Sequence, residues 1–236
     1  MKALLVRVGA DQSNGGGYWN GPVDSSSGEF VYVPIPDDGP FHPGLAKPYN
    51  ALAANLGGKW PSLPLHLARL DTHLDPDFAH LTYGDQGERA KQISTKLGNG
   101  DLIVFYAGLT DIHPNPQLVY ALIGLYVIDA IVPAKSVLQP HWHENAHTRR
   151  VTSFAGNDIV VRARPVVSGR LVRALPIGSY RDRAYRILPE LLAAWGGTTV
   201  RNGYLQRSAR LPEFNDAARF YDWFQKQNVT LISRNN

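Results

Sequence analysis

Short apolar segments, separated by uneven turns and by few helical patterns, constrain the fold of this chain most strongly. Residues 2–8 and 102–106 have the composition of buried strands, and residues 118–131 form a long apolar strand region with Gly124 inside it. Alternating strand–helix–strand units are not indicated by this spacing. The pattern predicts an α+β protein with a mostly antiparallel sheet or a partly open β-barrel core, and with several flanking helices.

Helical patterns occur at a few places. Residues 86–97 are predicted to form a helix with Asp85 as its N-cap, and residues 180–195 a second one with a kink at Pro189. Residues 37–66 are rich in proline, glycine and asparagine, which indicates an irregular excursion with a helical turn near 49–55. The remaining predicted elements are a helix over 212–225 and strands over 30–35, 157–163, 170–174 and 229–232.

The composition bounds the class of protein. With 44% hydrophobic and 19% charged residues, 236 residues suffice for a globular protein with an adequate core. No apolar run approaches the roughly 20 residues of a membrane helix, and the first residues lack the apolar region of a signal peptide. We therefore expect a cytoplasmic protein with no membrane partner.

The chain contains no cysteine. Disulfides, thiolate nucleophiles, zinc–thiolate sites and iron–sulfur clusters are therefore excluded. Any metal ion would need histidine, aspartate or glutamate ligands, and covalent catalysis would need serine, threonine, lysine, tyrosine or a carboxylate. No cofactor is firmly implied, although a divalent metal ion is compatible with the residues present.

Positive charge is concentrated in one segment. Residues 149–210 carry twelve arginines and three acidic residues, whereas the rest of the chain carries 12 basic and 17 acidic residues. Arginine binds phosphate in a bidentate manner, so the segment is typical of a nucleic-acid-binding surface; a solvated face with internal ion pairs is the alternative. The arginines expected to contact DNA phosphates are Arg149, Arg150, Arg162, Arg164, Arg181 and Arg183.

Two loops hold polar residues without structural periodicity. The first follows the opening strand and is neither a phosphate-binding loop of the Walker type nor a dinucleotide fingerprint. Its alternative role is a flexible turn. The residues of this loop that would contact a base are Asp11, Ser13, Asn14, Gly15 and Gly16.

The second loop is richer in ionisable groups. His73, Asp75 and Asp77 alternate along the chain, so that in an extended segment they would face the same way. They are candidates for catalysis or for binding a divalent ion, although a carboxylate that caps the turn around Pro76 is the alternative. Residues 83–86 follow closely and add Tyr83 and Gln86 as base-binding candidates and Asp85 as a further catalytic candidate.

A third polar cluster contains the metal-ligand candidates His141, His143 and His147. Its spacing is not that of the His-Glu-x-x-His zinc motif. A metal site here would need a partner from elsewhere in the chain, such as His73 or Asp77. A histidine acting as a proton donor, or a purely structural loop, are the alternatives.

Residues 100–106 and 119–127 together suggest a particular kind of core. A turn aspartate precedes one apolar strand, and a second apolar strand carries a central glycine. This looks like the core of the pseudouridine-synthase-associated (PUA), EVE and ASCH barrels, which hold modified bases. Two ordinary core strands would give the same pattern.

The ordered set of these motifs resembles a known family. The stretches that carry the resemblance are Arg7-Val-Gly-x-Asp-x-Ser-Asn-Gly-Gly16, Val33-Pro-Ile-Pro36, His73-Leu-Asp-Pro-Asp77, Tyr83-Gly-Asp-Gln86, Gly100-Asp-Leu-Ile-Val-Phe-Tyr106, residues 119–127 and His141-Trp-His143. They are similar to the third type of nucleotide-modification-associated domain, which is found near DNA base hypermodification genes in bacteria and phages. We expect a single domain over 1–236, with a family-like core over 1–150 and arginine-rich strands and helices over 151–236.

The resemblance implies a protein that binds and processes a modified base in DNA. A related setting is the pathway that places 7-deazaguanine bases in DNA, including their use in phage defence, in which a base nitrile becomes an amide. Without cysteine, water would be activated by a carboxylate, a histidine or a non-thiolate metal ion. The pocket is expected between the loop at 11–16 and the segment at 71–86.

Two other functions stay open at this point. A reader would bind the modified base without changing it, and a structural subunit would bind other DNA-modification proteins. The ionisable residues of the loops favour an enzyme, with His73, Asp75, Asp77 and Asp85 as the catalytic candidates. The base would have to be flipped out of the duplex or single-stranded, because a pocket cannot reach a stacked base.

Overall fold

The computed structural model describes residues 1–151, 156–205 and 209–236. Its strands are β1 (Ala3–Arg7), β2 (Pro22–Val23), β3 (Ile35–Asp37), β4 (Asp71–His73), β5 (Thr82–Asp85), β6 (Leu102–Asp111), β7 (Leu118–Pro133), β8 (Ile159–Ala163), β9 (Gly169–Pro176), β10 (Gly178–Arg181), β11 (Ala184–Ile187) and β12 (Leu231–Ile232). Its α-helices are α1 (Gly87–Lys96), α2 (Ala146–Arg149), α3 (Pro189–Trp195) and α4 (Ala217–Gln225). Short 3-10 helices cover Asn14–Gly16, Tyr49–Ala51, Ala53–Asn55, Ala134–Ser136, Gln139–Glu144 and Arg201–Gly203.

The strand β7 is the centre of the main sheet. It pairs antiparallel with β6 along one edge and with β9 and then β8 along the other. The sheet extends from β8 to β5 and from β9 to β12, again antiparallel, while β1 and β2 pair with β6 in parallel. The predicted α+β class and the mostly antiparallel sheet are confirmed, and the described strands do not close into a barrel.

Alternating side chains of the strands divide the core between the two faces of this sheet. In β1, Leu4 and Val6 belong to one buried cluster and Leu5 to the other. Helix α1 packs against the first cluster through Ile93, and α4 packs against the second through Phe220. Helices therefore flank both faces, and none of the helices in the described residues is long and apolar enough to cross a bilayer.

Residues 178–187 correct the sequence prediction of a helix over 180–195. They form the antiparallel hairpin β10–β11. Its turn places Asp182 and Arg183 in the left-handed region, with φ values of 51° and 62°, as hairpin turns of the mirror-image type require. Helix α3 begins only at Pro189, because proline suits the first turn of a helix and not its interior.

Other boundaries differ by smaller amounts. Residues 30–35 are not one regular strand: Phe30 forms an isolated bridge with Val23, and the strand that pairs with β4 begins at Ile35. Asp85 ends β5, so Gln86 and not Asp85 occupies the N-cap position of α1. The helical turn expected near 49–55 is confirmed by two short 3-10 helices.

At Gly124, in the centre of the sheet, neighbouring groups lie close to the backbone of β7. A Cβ atom there would lie 2.4 Å from the ring of Phe78 and 2.8 Å from the carbonyl oxygen of Gly169, and the register between β7 and β9 shifts at this position. This confirms the sequence prediction of a bulge or close approach at Gly124.

We predict that Gly124→Ala lowers the free energy of unfolding by about 1–3 kcal/mol, because overpacking forces neighbours to move. Gly98→Ala is the matched control, since nothing lies within 4 Å of a Cβ atom built at Gly98. Urea unfolding followed by tryptophan fluorescence measures both changes. Equal midpoints for the two variants would contradict the close-packing argument.

Candidate active site

A cavity of about 170 Å³ lies where the ends of β1, β4 and β5 meet α2. One water molecule requires only roughly 10–15 Å³ of such space, so the cavity has room for a substrate group. Its lining residues are Arg7, Val8, Gly9, Ile35, His73, Asp75, Tyr83, Gly84, Asp85, Gln86, Arg89, His147 and Arg150.

Three ionisable side chains converge in the wall of this cavity. One atom each of His73, Asp75 and His147 lies within 4.8 Å of the others. The Asp75 Oδ2 atom is 3.9 Å from Nε2 of His73 and 3.5 Å from Nε2 of His147. The carboxylate thus faces both Nε2 atoms, while the two rings pack edge-to-face with their centroids 5.1 Å apart. We call these residues the His–Asp–His cluster.

His73 is held from behind by a second carboxylate. Pairing of β3 with β4 brings Asp37 beside it, and its Nδ1 atom lies 2.8 Å from Asp37 Oδ2. Burial lowers the pKa of His73 in spite of the bond to Asp37. Burial acts to raise the pKa of Asp37, but the hydrogen bonds from His73 and from the Gly39 N–H outweigh it and lower that pKa.

His147 is held in the same way from the other side. Its Nδ1 atom is 2.6 Å from Asp158 Oδ1, and its backbone N–H donates to Asn145, which caps α2. Burial acts to lower the pKa of His147, but the hydrogen bond to Asp158 and the nearby charge of Asp75 outweigh it and raise that pKa. Both rings therefore offer Nε2 to the cluster.

Asp75 is placed by the backbone of β5. The Gly84 N–H donates to both of its carboxylate oxygens, at 2.9 and 2.8 Å, and Asn145 Nδ2 donates at 3.4 Å. A Cβ atom at Gly84 would lie 2.4 Å from the His147 ring, so only glycine leaves room here. Burial raises the pKa of Asp75 to about 8, although the charge of His147 and the Gly84 N–H oppose this.

Another part of the cavity wall is a hydrogen-bonded network of Tyr83, Asp85 and Arg89. The Tyr83 hydroxyl donates to Asp85, and Arg89 donates to the Tyr83 hydroxyl at 2.7 Å while its Nε lies 2.9 Å from Asp85 Oδ2. Gln86 is exposed at the cavity edge. The Tyr83 ring is buried against Phe105, so its hydroxyl and not its face is directed to the polar network.

Asp77 does not lie with its neighbours His73 and Asp75, contrary to the sequence prediction. It is 1% exposed and pairs with Arg149, which is itself 2% exposed. His80 and Asn235 also bind the Asp77 carboxylate, at 3.0 and 2.9 Å. Burial acts to raise the pKa of Asp77, but these partners lower it to about 2.

The loop at 11–16 borders a different cavity, which corrects the predicted pocket. Asp11 and Ser13 line this second cavity, and Arg7 lines both. The buried Asp11 carboxylate accepts hydrogen bonds from the N–H and hydroxyl of Ser13 and leaves no space for a side chain at Gly16. It organises its own turn, and the exposed Asn14 and Gly15 form the tip.

Only one of the three predicted metal-ligand histidines reaches the cavity. His147 belongs to the His–Asp–His cluster, with His73 as the partner that the sequence suggested. His141 is exposed and pairs with Glu144, and His143 is exposed with its ring against His80. The 3-10 helix Gln139–Glu144 ends before α2, which separates the two outer histidines from His147.

The predicted phosphate-binding arginines lie in different environments. Arg149 is buried against Asp77, so it does not face solvent as predicted. Arg150 lines the cavity and lies near Asp37. Three of the other four have a partner within the chain: Arg162 pairs with Glu144, Arg164 binds Asn99, and Arg181 donates to the Ile187 carbonyl. The fourth, Arg183, is exposed in the hairpin turn.

Sequence reasoning missed several residues of the cavity and its support, among them two arginines and two aspartates. Arg7 and Arg89 line the cavity, and Asp37 and Asp158 orient the two histidines. Each belongs to a strand end, a helix or a turn whose local pattern is ordinary, so no nearby residue signals its role.

Comparisons with known proteins give one match. The family model described as nucleotide modification associated domain 3 matches residues 2–220. Comparisons with curated proteins and with solved structures found no significant match.

We predict that Asp77→Asn lowers the free energy of unfolding by about 3–5 kcal/mol, because it leaves the Arg149 guanidinium buried without its partner charge. Asp38→Asn is the matched control: this side chain is 94% exposed and lies 3.7 Å from Arg150, so its loss should change stability by less than about 1 kcal/mol. Urea unfolding measures both. An Asp77→Asn variant of parental stability would contradict the structural role.

Proposed function

The chain belongs to the nucleotide modification associated domain 3 family, and from this membership we propose that it is an enzyme that modifies a base of DNA in the cavity beside the His–Asp–His cluster. The family is associated with the modification of nucleotides. We propose in addition a reaction, a substrate and the residues that take part.

The observation that carries this proposal is the His–Asp–His cluster itself. Asp75 and His147 are buried and His73 is half-buried in one cavity wall, although burial of charged groups is costly. A protein that only reads a base needs hydrogen-bond donors and an aromatic surface. Oriented imidazoles that flank a carboxylate are instead the groups that activate water or move protons.

The other polar side chains of the cavity wall support binding of a base. Gln86 offers an amide to a base edge, and the guanidinium groups of Arg7 and Arg89 can donate hydrogen bonds to its oxygen or nitrogen atoms. We therefore assign binding of the base to these residues and not to the loop at 11–16. The base enters from a flipped or single-stranded nucleotide, since stacked bases are out of reach.

The reaction we propose is hydration of a nitrile on a 7-deazaguanine base to the carboxamide. The His–Asp–His cluster activates a water molecule, whose oxygen forms a bond to the nitrile carbon while a carbon–nitrogen π bond breaks. Negative charge develops on the nitrogen, which takes up one proton of the water. The second proton then moves from oxygen to nitrogen, as the remaining carbon–nitrogen π bond is replaced by the carbon–oxygen π bond of the amide. Arg89 and Arg150 at the cavity wall would stabilise that charge.

The test is conversion of a cyano-deazaguanine in a single-stranded DNA oligonucleotide, measured by mass spectrometry of the released nucleosides. The parent chain should add the mass of one water. Asp75→Asn should lower the rate by at least about 10²-fold, which is the usual effect of losing a positioned catalytic group. Asp129→Asn, at an exposed position outside the cavity, is the matched control.

Two results would contradict the enzyme. If the parent chain bound the base without changing its mass, with divalent metal ions present, the protein would be a reader. If it bound no DNA and no base alone, a role as a structural subunit of a modification complex would be favoured.

The DNA contact of this proposal predicts a steep dependence of affinity on salt, because bound arginines release counterions from the phosphates. Arg183→Gln, in the exposed hairpin turn, should reduce the slope of log affinity against log salt by about 1. Arg181→Gln is the comparison, since Arg181 already donates to the Ile187 carbonyl. Fluorescence anisotropy at several salt concentrations measures the slopes, and an affinity that is flat with salt would contradict the phosphate contacts.

A further inference from the structure

We propose that the His–Asp–His cluster binds one divalent transition-metal ion through His73 Nε2, Asp75 and His147 Nε2. The inference deepens the proposed function, since the ion would lie at the site where water is activated. It rests on how the three side chains are held, on the distances between them and on the chemistry of the donor set.

Both imidazoles are fixed as metal-binding histidines usually are. A histidine ligand commonly donates its second ring N–H to a carboxylate, which sets the tautomer and the ring orientation. Here His73 Nδ1 is 2.8 Å from Asp37 and His147 Nδ1 is 2.6 Å from Asp158. Two such pairs on opposite sides leave two Nε2 atoms directed to the same carboxylate.

The carboxylate is fixed as well. The Gly84 N–H and Asn145 Nδ2 hold Asp75, and the Asn145 amide also lies 3.3 Å from the Thr82 hydroxyl. Since Gly84 has no side chain, β5 comes close enough to support both Asp75 and the His147 ring. His73 is therefore held at the end of β4 and His147 in α2, while Asp75 lies in the buried segment just after β4 and is tied to β5 by the Gly84 N–H.

The distances are close to those of a coordination shell. Two ligand atoms at about 2.1 Å from one ion and at the tetrahedral angle lie about 3.4 Å apart. The observed separations are 3.5 Å for His147 and Asp75 and 3.9 Å for His73 and Asp75. All three ligand atoms fall within 4.8 Å, so binding requires them to close by an ångström or so.

The donor set selects the kind of ion. Two imidazole nitrogens and one carboxylate oxygen suit Fe²⁺, Mn²⁺, Co²⁺ or Zn²⁺, whereas Mg²⁺ and Ca²⁺ prefer shells of oxygen alone. Three protein ligands leave at least one coordination position for water, which is typical of catalytic sites. That position would face the cavity, where the substrate base is proposed to bind.

The test is titration of the full chain, freed of metal with a chelator, with Zn²⁺ by calorimetry and with Co²⁺ by visible absorption. We expect one ion per chain and Co²⁺ bands typical of nitrogen and oxygen ligands. His147→Ala should abolish tight binding. His141→Ala, which removes an exposed histidine outside the cavity, is the matched control and should bind as the parent does.

A milder variant protects the test against loss of the fold. Asp158→Asn preserves the shape of the side chain and should weaken Zn²⁺ binding by about 10–100-fold, as changes behind a ligand do, while circular dichroism shows a folded chain. Absence of stoichiometric binding by the parent, or parental affinity in the His147→Ala variant, would overturn the metal site. A chain that binds the ion but leaves the nitrile unchanged would overturn the proposed reaction and leave the metal site standing.

Discussion

Desolvation of one carboxylate is the constraint around which this part of the molecule is arranged. Asp75 is buried beside two imidazole rings, of which His147 is buried and His73 half-buried. Such a group is stable only where every neighbour supplies a hydrogen bond or an opposite charge. Strand pairing of β3 with β4 and of β5 with β8 supplies those neighbours, so the architecture of the sheet and the chemistry of the cavity have the same origin.

Asp75 and Asp77 are close in the sequence and both are buried, but their different partners shift their pKa values in opposite directions. Asp75 faces the cavity and has few charges that favour its ionised form, so its pKa rises to about 8. Asp77 faces Arg149 and also binds His80 and Asn235, and these partners lower its pKa to about 2. One is suited to a site that changes its protonation or binds a cation, while the other is a permanent anion of the core.

The sequence was informative where local physics decides the outcome. Apolar runs predicted β1, β6 and β7, because a run of consecutive apolar side chains can be recognised without knowing which strand pairs with it. The His73-Leu-Asp75 segment was found from its unusual density of ionisable groups. The prediction of a helix over 180–195 was wrong before Pro189, because Asp182 and Arg183 adopt left-handed φ values in a hairpin turn. No glycine stands in that turn to mark it in the sequence. Asp37 and Asp158 could not be found, since their roles arise only when distant strands pair.

The position of Asp158 has a consequence for any attempt to divide the chain. The sequence motifs end at His143, although the family match continues to residue 220, and the histidine, aspartate and glycine residues of the cavity all precede residue 150. The carboxylate that binds His147 Nδ1 belongs to Asp158, which lies after residue 150 and just before β8. The strand β8 is also the sheet partner of β5. A fragment ending at 150 would therefore keep every residue of the motifs and lose both the orientation of one imidazole and the strand that holds Gly84 in place.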